Sequence, residues 1–124
     1  MKEIEVTEPA LIIRIAKLYK EGLSEQALYE ATRGVWRVGT RRDAVEYALA
    51  VAGGVVREVF VVRQWHPAGT TKYATREPSQ VEVEDRWEFT GSIAPAAVRA
   101  KYVGGSVAHY FVRGATNPVF YVNV

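Results

Sequence analysis

The stretch Glu46-Tyr47-Ala48-Leu49-Ala50-Val51-Ala52-Gly53-Gly54-Val55-Val56-Arg57-Glu58-Val59-Phe60-Val61-Val62-Arg63-Gln64-Trp65 decides the fold. Two β-rich runs, 46–52 and 55–65, flank a pair of glycines. Such a pair predicts a hairpin, because the tight turns that match strand twist need positive φ at their centre. The run Val55-Val56-Arg57-Glu58-Val59-Phe60-Val61-Val62 is apolar on both sides. A strand of that kind belongs in the middle of a sheet or in a closed barrel.

Upstream, residues 10–16 are apolar except for Arg14 and read as a buried strand. Lys20-Glu21-Gly22 reads as a turn. Ser24 caps a helix that runs to about residue 33, without a capping box because position 27 is Ala. Glu25 suits the positive end of the helix dipole. Ala27, Leu28 and Ala31 form its buried stripe, and Gly34 stops it. Downstream, Pro67-Ala68-Gly69-Thr70-Thr71 opens a loop that runs to Ser79. Residues 81–84 read as a short strand, and 86–90 as another ended by Gly91. Pro95 starts a helix carrying Ala96, Ala97, Val98 and Lys101, which Gly104-Gly105 ends. Residues 106–112 read as a short helix or strand, with helix preferred, and Asn117-Pro118 turns the chain into a last strand at 119–122. Strand and helix do not alternate as in a parallel α/β fold. The expected class is α+β: a small mixed or antiparallel β-barrel with two or three short helices.

The 124 residues suit one domain, 1–124. With 48% hydrophobic and 24% charged residues, the composition is that of a globular chain and argues against disorder. The absence of cysteine excludes disulfides, thiolate zinc sites, iron–sulfur clusters and a cysteine nucleophile. No run approaches the roughly 20 apolar residues of a membrane span. The start Met1-Lys2-Glu3-Ile4-Glu5-Val6 is mixed in charge, unlike a signal peptide. A soluble cytoplasmic protein with no membrane partner is expected. The net charge of +2 is too small to indicate nucleic acid by itself. Eleven of the sixteen cationic residues, however, are Arg, whose planar fork fits phosphate and base edges. A GC-rich genome or a hot habitat gives the same excess.

Three features could carry chemistry. In Thr32-Arg33-Gly34-Val35-Trp36-Arg37-Val38-Gly39-Thr40-Arg41-Arg42 four Arg accompany one Trp and no acid. Arg interleaved with an aromatic suits a surface that tracks phosphates and stacks bases. A solvated basic loop with Trp36 tucked into the core fits the same residues. In Arg63-Gln64-Trp65-His66-Pro67-Ala68-Gly69 a strand ends in a polar-aromatic cluster. Trp65 there either stacks a base or plugs the barrel mouth, and His66 either bonds a base or meets solvent. Third, 77–88 is rich in acid, whereas 89–124 has no acid and carries Arg99, Lys101 and Arg113. One acidic and one basic face would follow, unless strand pairing mixes the two regions.

Enzyme templates fit poorly. Lys101-Tyr102-Val103-Gly104-Gly105-Ser106 resembles half of the GIY-YIG nuclease signature, but the first half is missing and no Glu follows Glu88. Two His and no Cys make a poor zinc set. Ser106 and His109 have no downstream acid and no nucleophile elbow, and no phosphate-cradling or dinucleotide motif is present. Glu46 and Glu58 could meet across the hairpin, although Glu on strands is usually solvated.

Glu30-Ala31-Thr32-Arg33-Gly34-Val35-Trp36, Tyr47-Ala48-Leu49-Ala50-Val51 and Trp65-His66-Pro67-Ala68-Gly69 resemble segments of small bacterial proteins of unassigned function. Arg86-Trp87-Glu88-Phe89, Tyr102-Val103-Gly104 and Asn117-Pro118 are similar to the same group. The order of helix, Trp loop, hairpin and aromatic strand end resembles the PUA-like superfamily, which includes ASCH and EVE domains. The resemblance implies a pseudo-barrel whose cleft binds RNA or a modified base in DNA. It puts that cleft near 33–42 and Trp65-His66, with Trp36 and Trp65 as candidates to sandwich a base. The leading expectation is a non-catalytic nucleic-acid reader that needs no cofactor and no metal. Arg33, Arg37, Arg41 and Arg42 would contact phosphate, Trp36 or Trp65 would stack a base, and His66 would bond its edge. The competitors are a protein-interaction module that uses 77–88, and a small hydrolase acting on RNA or a nucleotide.

Overall fold

The computed structural model describes residues 2–112, 114 and 116–124. The hairpin forms where the sequence places it. Tyr47–Ala52 (β3) runs antiparallel to Val55–Pro67 (β4), and the chain turns at Gly53 (φ 62°) and Gly54 (φ 76°). Two successive positive φ angles are what a type I′ turn demands and what glycine supplies at no steric cost. The strand apolar on both sides lies inside the sheet. β3 flanks β4 on one edge and Trp87–Ile93 (β5) on the other.

Ala10–Arg14 (β1) pairs parallel to β3, and Val119–Val122 (β6) pairs antiparallel to β1. Gly34–Trp36 (β2) pairs antiparallel to β5. The six strands lie in the order β2-β5-β4-β3-β1-β6. They form a mixed sheet that curls into a half-barrel, and β2 and β6 are its open edges. With three short helices, the molecule is α+β.

The two faces of the sheet bury separate clusters, because alternate side chains point opposite ways. Leu11, Ile13, Ala48, Ala50, Phe60 and Phe89 face Leu28 and Tyr29 of Glu25–Arg33 (α1). Ile12, Leu49, Val51 and Val59 face Val98 and Tyr102 of Ala96–Tyr102 (α3). Ser24 caps α1 as the sequence predicts, its Oγ accepting from Ala27 N at 3.1 Å.

Several expectations need correction. Residues 81–84 are not a strand; Pro78–Val81 is a one-turn helix (α2). Pro78 sits in its first turn, and Glu77 and Gln80 form a reciprocal capping box. The chain after α1 is not all loop, since β2 follows directly and Thr40–Ala44 forms a short 3-10 helix. β5 does not end at Gly91 but runs on to Ile93. Residues 106–112 hold only one 3-10 turn, Ala108–Tyr110. Glu46 and Glu58 do not meet, because Ala50 lies opposite Glu58. Glu58 instead accepts from Arg99 Nε at 2.7 Å.

The two-faced charge pattern is mixed in space as well. Arg99 pairs with Glu58, and Lys101 Nζ lies 2.8 Å from Glu8. Arg113 lies outside the described residues. Tyr102 of the half-signature is a buried helical residue, and its hydroxyl accepts from Thr7 N at 3.0 Å. Among the described residues no helix is long and apolar enough to cross a membrane.

Candidate functional site

A cleft of about 700 Å³ lies where the barrel would have closed. Gly34, Val35 and Trp36 of β2 line one side. Residues 14–18 at the end of β1, with Thr116 and Pro118 ahead of β6, line the other. Arg76 and Gln80 complete it. Its walls are mainly apolar: Ile15, Ala16, Leu18, Val35, Trp36 and Pro118. Arg14, Lys17 and Arg76 also line it, and no carboxylate does among the described residues.

Two of these cations are held in place. Arg14 Nη2 donates to Asn117 O at 2.6 Å, and its guanidinium lies 4.3 Å from the centre of the Phe111 ring. Arg76 Nη1 donates to Glu30 O at 3.0 Å and to Gly34 O. Its Nε is buried without a hydrogen-bond partner. Burial lowers the Arg76 guanidinium from its ordinary value, but an arginine of this kind stays charged at neutral pH. Trp36 is half-buried, and its Nε1 donates to Thr32 O at 2.7 Å. Lys17 is exposed.

Behind the cleft, two buried carboxylates grip the loop 68–77. Glu30 Oε2 accepts from Ala74 N at 2.8 Å, and Oε1 accepts from Thr75 N and Thr75 Oγ1, each at 2.7 Å. Glu88 accepts from Gly69 N at 2.7 Å, Thr71 N at 2.9 Å and the Tyr73 hydroxyl at 2.9 Å. The Thr71 hydroxyl also donates to Glu88. Arg33 fastens the same loop from α1. It donates to Thr71 Oγ1 at 2.8 Å, Lys72 O at 2.6 Å and Phe89 O at 3.2 Å, and it stacks 3.8 Å from the Tyr73 ring centre. The hydrogen bonds from the loop to these carboxylates favour their charged forms and fix the backbone that carries Arg76 toward the cleft.

The same bonds set a pH dependence. Burial works to raise Glu30, but hydrogen bonds from Gln26, Ala74 and Thr75 outweigh it and pull the carboxyl down to about 2. At Glu88 burial is likewise outweighed, by Thr71, Gly69 and Tyr73, and the net shift is downward. A carboxyl lowered on folding contributes stability that is complete above its unfolded value and lost as pH falls through the folded one. Unfolding free energy is therefore expected to fall steeply from about pH 4.5 to about pH 2. Urea titrations across that window should show a shallower slope for Glu30→Gln. Equal slopes would mean that Glu30 is not held as described.

The residues singled out from sequence do not gather in one place. Trp36 lines the cleft. Arg33 does not reach a surface: it is 3% exposed, with its fork committed to the protein's own atoms, so it drops out as a phosphate contact. Arg37 is exposed. Arg41 and Arg42 sit on the 3-10 helix. Arg41 lies 4.4 Å from the Tyr121 ring centre on β6, and Arg42 lies 3.6 Å from that of Trp87 on β5. Trp65 is half-buried, donates from Nε1 to Arg42 O at 2.9 Å and packs edge-on against Phe89. Those contacts make it part of the packed end of the half-barrel. His66 Nε2 lies 3.0 Å from Thr90 Oγ1.

Sequence reasoning missed Arg14, Lys17 and Arg76. The one signal was Arg14, the single charge inside an apolar run. Among the described residues no group of three or more His, Asp or Glu is placed to hold a metal ion. No protein-family model, curated protein or solved structure matches this chain.

Proposed function

We propose that this chain is a non-catalytic nucleic-acid-binding module, built on a PUA-like pseudo-barrel, that reads RNA or a modified base in the cytoplasm. The observation that carries the reading is the cleft between the sheet edges, where three cations and a tryptophan stand among apolar walls with no lining carboxylate among the described residues. Cations supply the phosphate term of binding, and an aromatic face supplies stacking without demanding a sequence. Arg37 and Arg41, outside the cleft lining, are exposed cations. The curled mixed sheet supports the PUA-like part of the reading.

Fluorescence anisotropy with single- and double-stranded DNA and RNA, plain and modified, at two salt concentrations tests it. Micromolar or tighter binding is expected, weakening as salt rises. Lys17→Glu should weaken binding to every probe and lower the salt slope by about 1, the signature of a lost phosphate contact. An absence of binding to any probe at low salt would refute the reading. One observation favours a second reading, a protein-interaction module. Glu82, Glu84 and Asp85 are exposed beside a hollow of about 330 Å³ that Pro67 and Ala68 also line. Stable co-purification of a partner, lost on reversing those three charges, would favour it.

A further inference from the structure

We infer that Phe120, with Tyr110 and Phe111, forms a second subsite, which stacks an unpaired base of a nucleic-acid strand that also occupies the cleft. The inference rests on the nucleic-acid reading above. Phe120 of β6 is 38% exposed and stands at the middle of a row of rings. Its ring centre lies 5.9 Å from that of Tyr110 and 5.7 Å from that of Phe111. Val112, the residue after Phe111, is 78% exposed. A single exposed apolar side chain is ordinary, whereas a contiguous group of them marks a contact surface. The row is also held from behind. The Tyr110 hydroxyl accepts from Val6 N at 2.9 Å, and the Arg14 guanidinium lies 4.3 Å from the Phe111 ring centre. A platform fixed in this way loses little freedom when a base settles on it.

The row of rings continues the cleft. Arg14 belongs to both, lining the cleft and lying over Phe111. Its N–H donates to Pro118 O at 2.7 Å, which extends the ladder between β1 and β6 to a residue of the cleft wall. Side chains two apart along a strand face the same side, so Phe120 carries on the wall that Pro118 begins. Charge limits the subsite at its other end. Beyond Tyr110, Glu3 and Glu5 flank the His109 ring at 3.5 and 3.6 Å, and carboxylates there repel a phosphate backbone. The rings therefore serve one or two bases next to the cleft. An aromatic face stacks any base, but in a duplex the neighbouring pairs already cover the face it needs.

The test uses the full chain and labelled single-stranded oligonucleotides of about 2 to 12 residues, with a duplex of the longest sequence. Phe120→Ala should weaken binding of the longer single strands about tenfold, the loss of one stacked base. It should leave the dinucleotide and the duplex unchanged, and Phe120→Tyr, which keeps the ring, should restore the affinity. Irradiating the unaltered chain with a strand that carries 5-iodouracil should link it to the peptide holding Phe120, Phe111 or Tyr110, a readout that needs no variant. Single strands that bind the Phe120→Ala chain as tightly as the unaltered one, or links confined to other peptides, would overturn the inference and leave the nucleic-acid reading standing. A dimer of the unaltered chain that Phe120→Ala dissociates, with no change in oligonucleotide binding, would assign the rings to a second copy and overturn it too. No binding of any probe at low salt would overturn both.

Discussion

Replacing Glu88 by alanine is expected to cost about 3–5 kcal/mol of folding stability, the loss usual when one partner of a buried charge pair is removed. Glu88 is fully buried, and its two oxygens take bonds from Gly69, Thr71 and Tyr73. Arg33 Nη1 stands 3.9 Å away. Without the carboxylate, two backbone N–H groups and two hydroxyls lose their acceptor, and the Arg33 charge stays buried with only neutral oxygens around it. Set against a typical total of about 5–15 kcal/mol, the variant would be close to unfolding. Urea denaturation at neutral pH reads the effect. Glu58→Ala is the control, because its partner Arg99 is 39% exposed in its side chain and water screens the pair. The cation left behind is solvated, so that change should cost clearly less than Glu88→Ala. If the two variants lose the same amount, the carboxylates do not clamp the loop 68–77.

Gly91→Ala should be at least as severe, for a reason that involves no charge. Gly91 lies opposite Val62, where β4 shifts register before Gln64. A Cβ at this position would overlap the Val61 carbonyl oxygen. That oxygen belongs to a central strand and cannot turn aside as a side chain can, so β4 and β5 would have to separate. The cost should exceed the roughly 1–3 kcal/mol usual for overpacking. At about 4 °C per kcal/mol, thermal denaturation should show a drop of about 12 °C or more. Gly39→Ala is the matched control: a Cβ there meets nothing within 4 Å. Its effect should stay within about 0.5 kcal/mol, as at an ordinary surface position. A small loss for Gly91→Ala would show that the two strands can shift to make room.

The parts of the fold that were legible are those with a local cause. Gly53-Gly54 between two β-rich runs needs no distant partner to make a turn. Ser24 caps α1 from three residues away. Residues 81–84 misled because Val81 and Val83 alternate with Glu82 and Glu84, a strand pattern in isolation. What decides that segment is the reciprocal pair Glu77 and Gln80, a cap built from Glu where Ser or Thr is the usual cue. The cleft was illegible because it comes from assembly. Arg14 and Lys17 leave β1, Arg76 precedes α2, and only sheet curvature brings both beside β2. Arg33 misled in the opposite direction. A cation in the last turn of a helix reads as a surface residue, yet its partners Thr71, Lys72 and Phe89 lie far along the chain and enclose it. Trp65 and His66 were located correctly at a strand end.

The position of β1 bears on how the protein is made. This strand lies between β3 and β6, so one of its ladders waits for residues 47–51 and the other for residues 119–122. A ribosome delivers β1 early and β6 at the close of the domain, at roughly 5–20 residues per second. During that interval Leu11, Ile12 and Ile13 form an apolar strand with an unsatisfied hydrogen-bonding edge, the kind of surface that recruits other chains. The hairpin can assemble alone, but β1 is sealed only when the last strand arrives. Completing the sheet therefore depends on pairings distant in the chain, the kind that slows folding. A nascent chain that stalls before residue 119 would present to chaperones the strand that the finished protein hides best.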